Sequence, residues 1–544
     1  MRSWFPTAMA LALLCCATQA PLAHRPDIGT VSVREPALWI DGFEKPLNLL
    51  RVEDARELHA AWSRALAHQP ALSKSTPRYL QPNKTVSSKD LARALGFAIP
   101  KLARAIDRTR AGEFLDADIG ELRQVAEVHR ALELNFKDPV PLQQSLELGL
   151  ARTLFASFGA YTVVRDESRT THAAEVGDPA NSSFWTRPQD ISRLELRIGF
   201  GRSRTLAVEV RNRAEPCAFD GAKTGYGTNP GFTIRCRDKR IKVKFREVRS
   251  EPFATRIFWA LGYNVEPADY LSALDFTYSA EFFTQINKRK NLAVELTKLG
   301  VIPVYRIELT KRVDPFTLLE RAKLTDGTSI DAAELRARLL KNPNADPLAL
   351  EASDLDEEFA RRIAVLTTVE VQLQAKNDAV KRIGPWQWED FDHPELRETR
   401  GLLAAAAWLG WYDCRFDNNR LALAKTAFGR VELRHYITDL GATLSFYPGL
   451  FTYRYERPEQ MEGSVTAKSW FRGVKIVHYR TMAPNRAFEE ASEEDLRWGA
   501  NWLSRLSPRQ IHDAAIGAGF DERRAQLIVR KLDERLFNMK RDLK

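Results

Sequence analysis

Apolar and polar positions change period several times along this chain, and each change marks an element. Residues 8–17 (AMALALLCCA) form an unbroken apolar run preceded by the positive charge of Arg2. At about 1.5 Å per residue such a run is too short to span a bilayer, but it matches the apolar core of a secretory leader. Residues 1–23 therefore read as a signal peptide. From 30 to 185 apolar positions recur at helical spacing: Ser88 is placed to cap a helix through Leu91 and Leu95, and 101–110, 122–134 and 141–158 repeat the pattern. This predicts a helical N-terminal region. The polar, turn-rich stretch 165–183 (RDESRTTHAAEVGDPANSS) closes it.

Beyond about 190 the period shortens to two. Residues 194–198 (LELRI), 206–210 (LAVEV), 232–234 and 241–245 (IKVKF) alternate like half-buried strands, predicting a small antiparallel sheet over 190–250. A helix follows, with Ser250 as its N-cap, Glu251 in the first turn and Gly262 beyond its end. Residues 301–309 (VIPVYRIEL) read as a strand, and 311–380 as a charged, helical insertion. From Pro394 the order is an apolar helix over 401–409, a loop, a strand over 431–438, another loop, and a helical C-terminus starting near Ser492. The expected class is α+β, divided into 186–310, 311–384 and 385–544 after the helical region.

Composition narrows the partners. The chain has 544 residues, 44% of them hydrophobic and 28% charged, which supports a packed core and excludes wholesale disorder. Lys and Arg outnumber Asp and Glu by 81 to 71, a net +10 that suits an anionic partner such as a nucleotide. The basic stretch 237–249 lacks clustered aromatics interleaved with the charge, so nucleic acid is not the expected partner. No apolar run after the leader is long enough to cross a bilayer. Leu13-Leu14-Cys15-Cys16 resembles a lipoprotein box, so the expectation is an exported protein of the periplasm or exterior, membrane-bound only if acylated at Cys16. Past the leader only Cys217, Cys236 and Cys414 remain. An oxidising compartment permits a bridge between the first two, which stand at hairpin distance, leaving Cys414 a buried lone thiol. Metal-ligand spacings of Cys and His, H-E-x-x-H, Walker A and G-x-S-x-G patterns are absent from the sequence.

The candidate chemistry lies in polar groups at the ends of these elements. After the apolar helix comes Asp413-x-Arg415-x-x-Asn418, and a strand then ends at Asp439-Leu440-Gly441. Upstream, the alternation of 241–245 puts Lys242 and Lys244 on one face, and Glu251 follows seven residues after Lys244, with Glu247 as a nearer rival partner. Gly225-Tyr226-Gly227, with Gly231 four residues on, is flexible enough either to close over phosphates or to form a plain hairpin turn.

This order and spacing resemble the catalytic and metal-binding loops of protein-kinase-like phosphotransferases. The short link from Lys244 to Glu251 is similar to that of atypical members: secreted Golgi-type kinases, persistence-toxin kinases and phosphoinositide kinases. Taken with Phe184-Trp185, Pro188-Gln189-Asp190-Ile191, Thr228-Asn229-Pro230-Gly231-Phe232, Trp386-Gln387-Trp388, Thr399-Arg400-Gly401-Leu402 and Arg497-Trp498, residues 184–544 resemble a secreted bacterial family with an atypical-kinase core. The resemblance implies a bilobal core, with a small antiparallel β N-lobe and a mainly helical C-lobe, that uses ATP and Mg²⁺. It gives Lys244, and less directly Lys242, to the phosphates, and Glu251 to holding Lys244. Asp413 becomes the base, Arg415 the cation for developing charge, and Asn418 and Asp439 the oxygen ligands of the metal. The acceptor, protein or small molecule, is left open, and nucleotidyl transfer uses the same layout. Tyr412 stands where many protein kinases carry the Arg of H-R-D, so their style of activation-loop control is not implied. The alternative reading is a pseudokinase or non-catalytic envelope scaffold, for which export argues because ATP is scarce outside the cytoplasm.

Overall fold

The computed structural model describes residues 177–223, 229–287, 313–375, 379–415, 418–426, 429–445, 455–469, 473–476, 479–481 and 485–544. It also describes the strand Tyr161–Thr162 and scattered helical positions between 93 and 131. The signal peptide, most of 30–176, Gly225, Gly227 and the strand expected over 301–309 lie outside the described residues. The helical positions between 96 and 130 belong to one compact unit and residues 131–544 to another. The second unit, which holds the candidate site, mixes helices with antiparallel sheets.

Its central sheet has five strands: β1 (Ala218–Ala222), β2 (Gly231–Cys236), β3 (Lys239–Lys244), β4 (Asp269–Leu271) and β9 (Val371–Ala375). Their spatial order is β1-β2-β3-β9-β4, every pair antiparallel. Register fixes its two faces, because residues paired across strands project to the same side. Phe232, Val243 and Leu373 pair across β2, β3 and β9, and all three are buried in the apolar core. The alternate row is Gly231, Lys244 and Gln372, with Thr233, Lys242 and Gln374 beside it. A disulfide between Cys217 and Cys236 ties the open end of the β1–β2 hairpin, and Cys414 is a buried free thiol whose pKa burial pushes up to about 12. Both cysteine expectations hold.

Three expectations are corrected. Leu206–Arg211 is a helix (α1), because Thr205 caps it through the Val208 N–H and the Asp269 carboxylate accepts from the Leu206 N–H. Residues 194–198 are irregular and form no strand. The expected helical insertion is instead mixed: β6 (Leu319–Leu324), β7 (Ser329–Asp331), the helix α4 (Ala332–Leu339) and β8 (Ile363–Thr368), with β9 contributing to the central sheet. β5 (Asp275–Thr277) joins β6, β7 and β8 in a four-stranded sheet of order β5-β8-β6-β7, and the helix α3 (Ala280–Gln285) follows β5.

After β9 comes β10 (Val380–Gly384), which pairs with the hairpin of β11 (Asn419–Lys425) and β12 (Val431–Ile437). Between β10 and β11 runs α5 (Arg397–Leu409), buried along its whole length. The C-terminal helices are α6 (Glu493–Leu503), α7 (Pro508–Gly517) and α8 (Glu522–Asp542). α6 starts where the sequence places the helical C-terminus, and Ser492 caps it in a reciprocal capping box with Asp495. Trp386, Trp388, Trp408 and Trp411 are core residues, and Arg400 forms a buried ion pair with Asp495 at 2.7 Å. Among the described residues no helix is long and apolar enough to cross a membrane.

Candidate functional site

The site gathers around the end of β3. Alternation carries Ile241 and Val243 into the core and turns Lys244 to the opposite face. The helix α2 (Ser250–Ala260) follows within a few residues, and its first turn brings Glu251 back towards β3. Lys244 Nζ donates to Glu251 Oε2 at 2.7 Å and to Asp439 Oδ1 at 3.1 Å. One ammonium thus joins residues 7 and 195 positions away in the chain. Glu251 is wholly buried and the Lys244 side chain only 13% exposed, whereas the Asp439 side chain is 42% exposed.

Ser250 is the first residue of α2 and not its cap. The cap comes from far along the chain, where the Glu456 carboxylate accepts from the Arg249 and Ser250 N–H groups at 2.6 and 2.8 Å. A carboxylate at a helix N-terminus meets both orphan donors and the positive end of the dipole. The Ser250 hydroxyl in turn donates to the Gly441 carbonyl at 2.6 Å, tying α2 to the Asp-Leu-Gly turn. No sequence signal marked Glu456, because its role depends on contacts more than two hundred residues apart.

The second group forms where α5 ends. Gly410 adopts left-handed φ 70° as the C-cap, and a Cβ there would stand 2.5 Å from the Ser445 carbonyl, so the turn into the polar loop requires glycine. Asp413 and Arg415 pair at 2.8 Å. The Asn418 side-chain amide donates to the Asp413 carbonyl at 2.9 Å, bracing the loop. Asn418 meets Thr438 across the start of the β11–β12 hairpin, since the Thr438 N–H donates to the Asn418 carbonyl at 3.2 Å, one residue short of Asp439. Asp439 itself has left-handed φ 59°.

Electrostatics follow from this crowding. Burial opposes the Lys244 ammonium, but the carboxylates of Asp439, Glu251 and Glu247 outweigh it and raise its pKa. Lys244 in turn holds the Asp439 carboxyl well below the ordinary carboxylate range, with Lys223 and Arg415 adding to it against burial. Glu247 moves the other way: burial and then the Asp439 carboxylate push it well above its ordinary value, against the pull of Lys244. Carboxylate oxygens of Glu247, Glu251 and Asp439 lie within 4.8 Å of one another, a donor set suited to a hard divalent cation.

The geometry therefore brings Lys244, Glu251 and Asp439 together and joins Asn418 to Asp413 and Asp413 to Arg415. Lys242 shares the Lys244 face of β3. Gly231 pairs with Lys244 across β2 and β3, and a Cβ there would sit 2.5 Å from the Val243 carbonyl, so close strand packing already requires glycine. Gln372, opposite Lys244 on β9, is fully buried, and neither of its amide atoms has a hydrogen-bond partner among the described residues. Nothing in the sequence distinguished it, because its place beside Lys244 depends on the pairing of β9. Comparison with protein-family models, with curated proteins and with solved structures finds no match for this chain, and its site is read from its own geometry.

Proposed function

We propose that the chain is a kinase-like phosphotransferase using ATP and Mg²⁺, in which the five-stranded sheet with α2 serves as the small lobe and residues 385–544 as the mainly helical one. The observation that carries this reading is the double engagement of Lys244 by Glu251 and Asp439. Protein kinases need a strand-borne lysine paired with a helix glutamate while the metal-loop aspartate stands in place. Support comes also from chain order, with Lys244 on the third strand of the sheet, Glu251 on the helix directly after it, and Asp413, Asn418 and Asp439 following in turn. The leader read from residues 8–17 adds that the protein works outside the cytoplasm on an envelope or extracellular acceptor, a protein or a small molecule.

In this reading Lys244 binds the α- and β-phosphates, and Glu251 keeps its ammonium aimed. Asp413 takes the proton of the acceptor hydroxyl, and Arg415, paired beside it, offers a cation to the charge that develops on transfer. Asn418 and Asp439 offer oxygens to the metal, which when bound supplies charge neutralisation of the phosphates. The test is a thermal-shift titration with Mg²⁺–ATP together with a γ-phosphoryl transfer assay. The protein is expected to gain stability with nucleotide. Asp413→Asn is expected to keep that gain while losing about 10²–10⁴ in turnover, as loss of a positioned base does. Absence of any shift at millimolar Mg²⁺–ATP would overturn the proposal, and binding without transfer in the unaltered protein would leave a nucleotide-binding scaffold.

A further inference from the structure

Lys244 saturates only part of the carboxylate chemistry around it. Its ammonium takes Glu251 Oε2 and Asp439 Oδ1, and Glu251 Oε1 is left wholly buried without a hydrogen-bond partner among the described residues. A buried, partnerless oxygen on an acidic helix residue is costly and calls for a ligand. Glu247 supplies the third carboxylate. Its side chain lies over Gly441, where a Cβ would come within 2.4–2.7 Å of the Glu247 carboxylate and Cβ, so that space is kept open by glycine. Oxygens of all three acids fall within 4.8 Å of one another. Two oxygens sharing one hard ion at about 2.0–2.6 Å each stand about 3–5 Å apart, so the cluster has the right dimensions. The cations acting on the cluster include the Lys244 ammonium, which faces all three carboxylates, Lys223 and Arg415 towards Asp439, and Arg382 towards Glu251.

We infer that Glu247, with Glu251 and Asp439, forms a divalent-cation site that loads without nucleotide, making Glu247 a metal ligand that the motif-based set of Asn418 and Asp439 does not contain. The inference deepens the phosphotransferase reading but does not require transfer to occur. A metal held by three protein carboxylates would be resident before ATP arrives, whereas one held by Asp439 and Asn418 alone would depend on phosphate oxygens to complete its shell.

The experiment uses the full chain with Mn²⁺ alone, free ion being followed by electron paramagnetic resonance and protein melting by circular dichroism. One site is expected in the absence of nucleotide. Glu247→Gln should weaken it at least tenfold while melting, in chelator, at or above the unaltered protein's temperature. Should Glu247→Gln fail to fold, Glu247→Asp takes its place under the same tenfold criterion. Unchanged binding in the Glu247 variant, or Mn²⁺ binding that appears only with ATP, would overturn the inference. Because no nucleotide is needed, failure of ATP to bind would sink the phosphotransferase proposal and leave this one standing.

Discussion

Removing the ammonium at the centre of the site gives the sharpest test of how the pieces are held. In Lys244→Met the Glu251 carboxylate, only 1% exposed, loses the cation 2.7 Å away and stays on a buried helix turn. Breaking a buried pair by deleting one partner costs about 3–5 kcal/mol, because the survivor's charge is stranded without solvation. Against a domain stability of about 5–15 kcal/mol, that is a third or more of the total in many cases. Replacing both members with apolar side chains is often neutral, so Lys244→Met/Glu251→Met is expected to recover most of the loss. Urea unfolding followed in parallel by tryptophan fluorescence and circular dichroism measures both variants. Recovery by the double variant would show that the pair is not needed for folding, since apolar residues fold as well. A loss below about 1 kcal/mol in the single variant, or no recovery in the double, would refute the reasoning from burial.

Cys217→Ser/Cys236→Ser opens a loop with a sequence separation of 19, for which loop-closure entropy gives about 3 kcal/mol, read as a lowered urea midpoint relative to the oxidised protein. The Glu247 carboxyl is raised above its ordinary 4.5 by burial and the Asp439 carboxylate, so the folded state binds the extra proton. In chelator, the unaltered protein should therefore lose stability relative to Glu247→Gln as pH rises past about 4.5, and a melting-temperature difference that is flat with pH would contradict this. Gly231→Ala drives a methyl group to 2.5 Å from the Val243 carbonyl. Thermal melting should show a loss of about 1–3 kcal/mol from that overpacking.

What the sequence made legible was local. The alternation through 241–245, the apolar helix before Asp413, the helix start near Ser492 and the cysteine pair all act within a few residues or one hairpin, and each stands as read. Errors arose where distant contacts override the local period. Leu206–Arg211 alternates like a strand, yet Asp269 and Thr205 fix it as a helix. In β6 the buried Leu319, Ala322 and Leu324 depart from strict alternation, because register shifts against β8 at both ends of the strand break the period of two. Lys244, Glu251 and Asp439 were found because each sits at an element end with a characteristic neighbour. Glu456 and Gln372 carry no such mark and reach the site only through tertiary pairing.

The way α2 is anchored bears on how the protein can be handled at the bench. Its capping carboxylate is Glu456, its tether is Gly441, and the strand beside Lys244 is β9, all encoded after residue 310. A fragment cut at that boundary would retain Lys244 and Glu251 but none of the three supports that align them. Useful expression pieces must therefore run continuously from before β1 through Glu456, and a clipped protein that still melts cooperatively says nothing about whether its lysine is aimed.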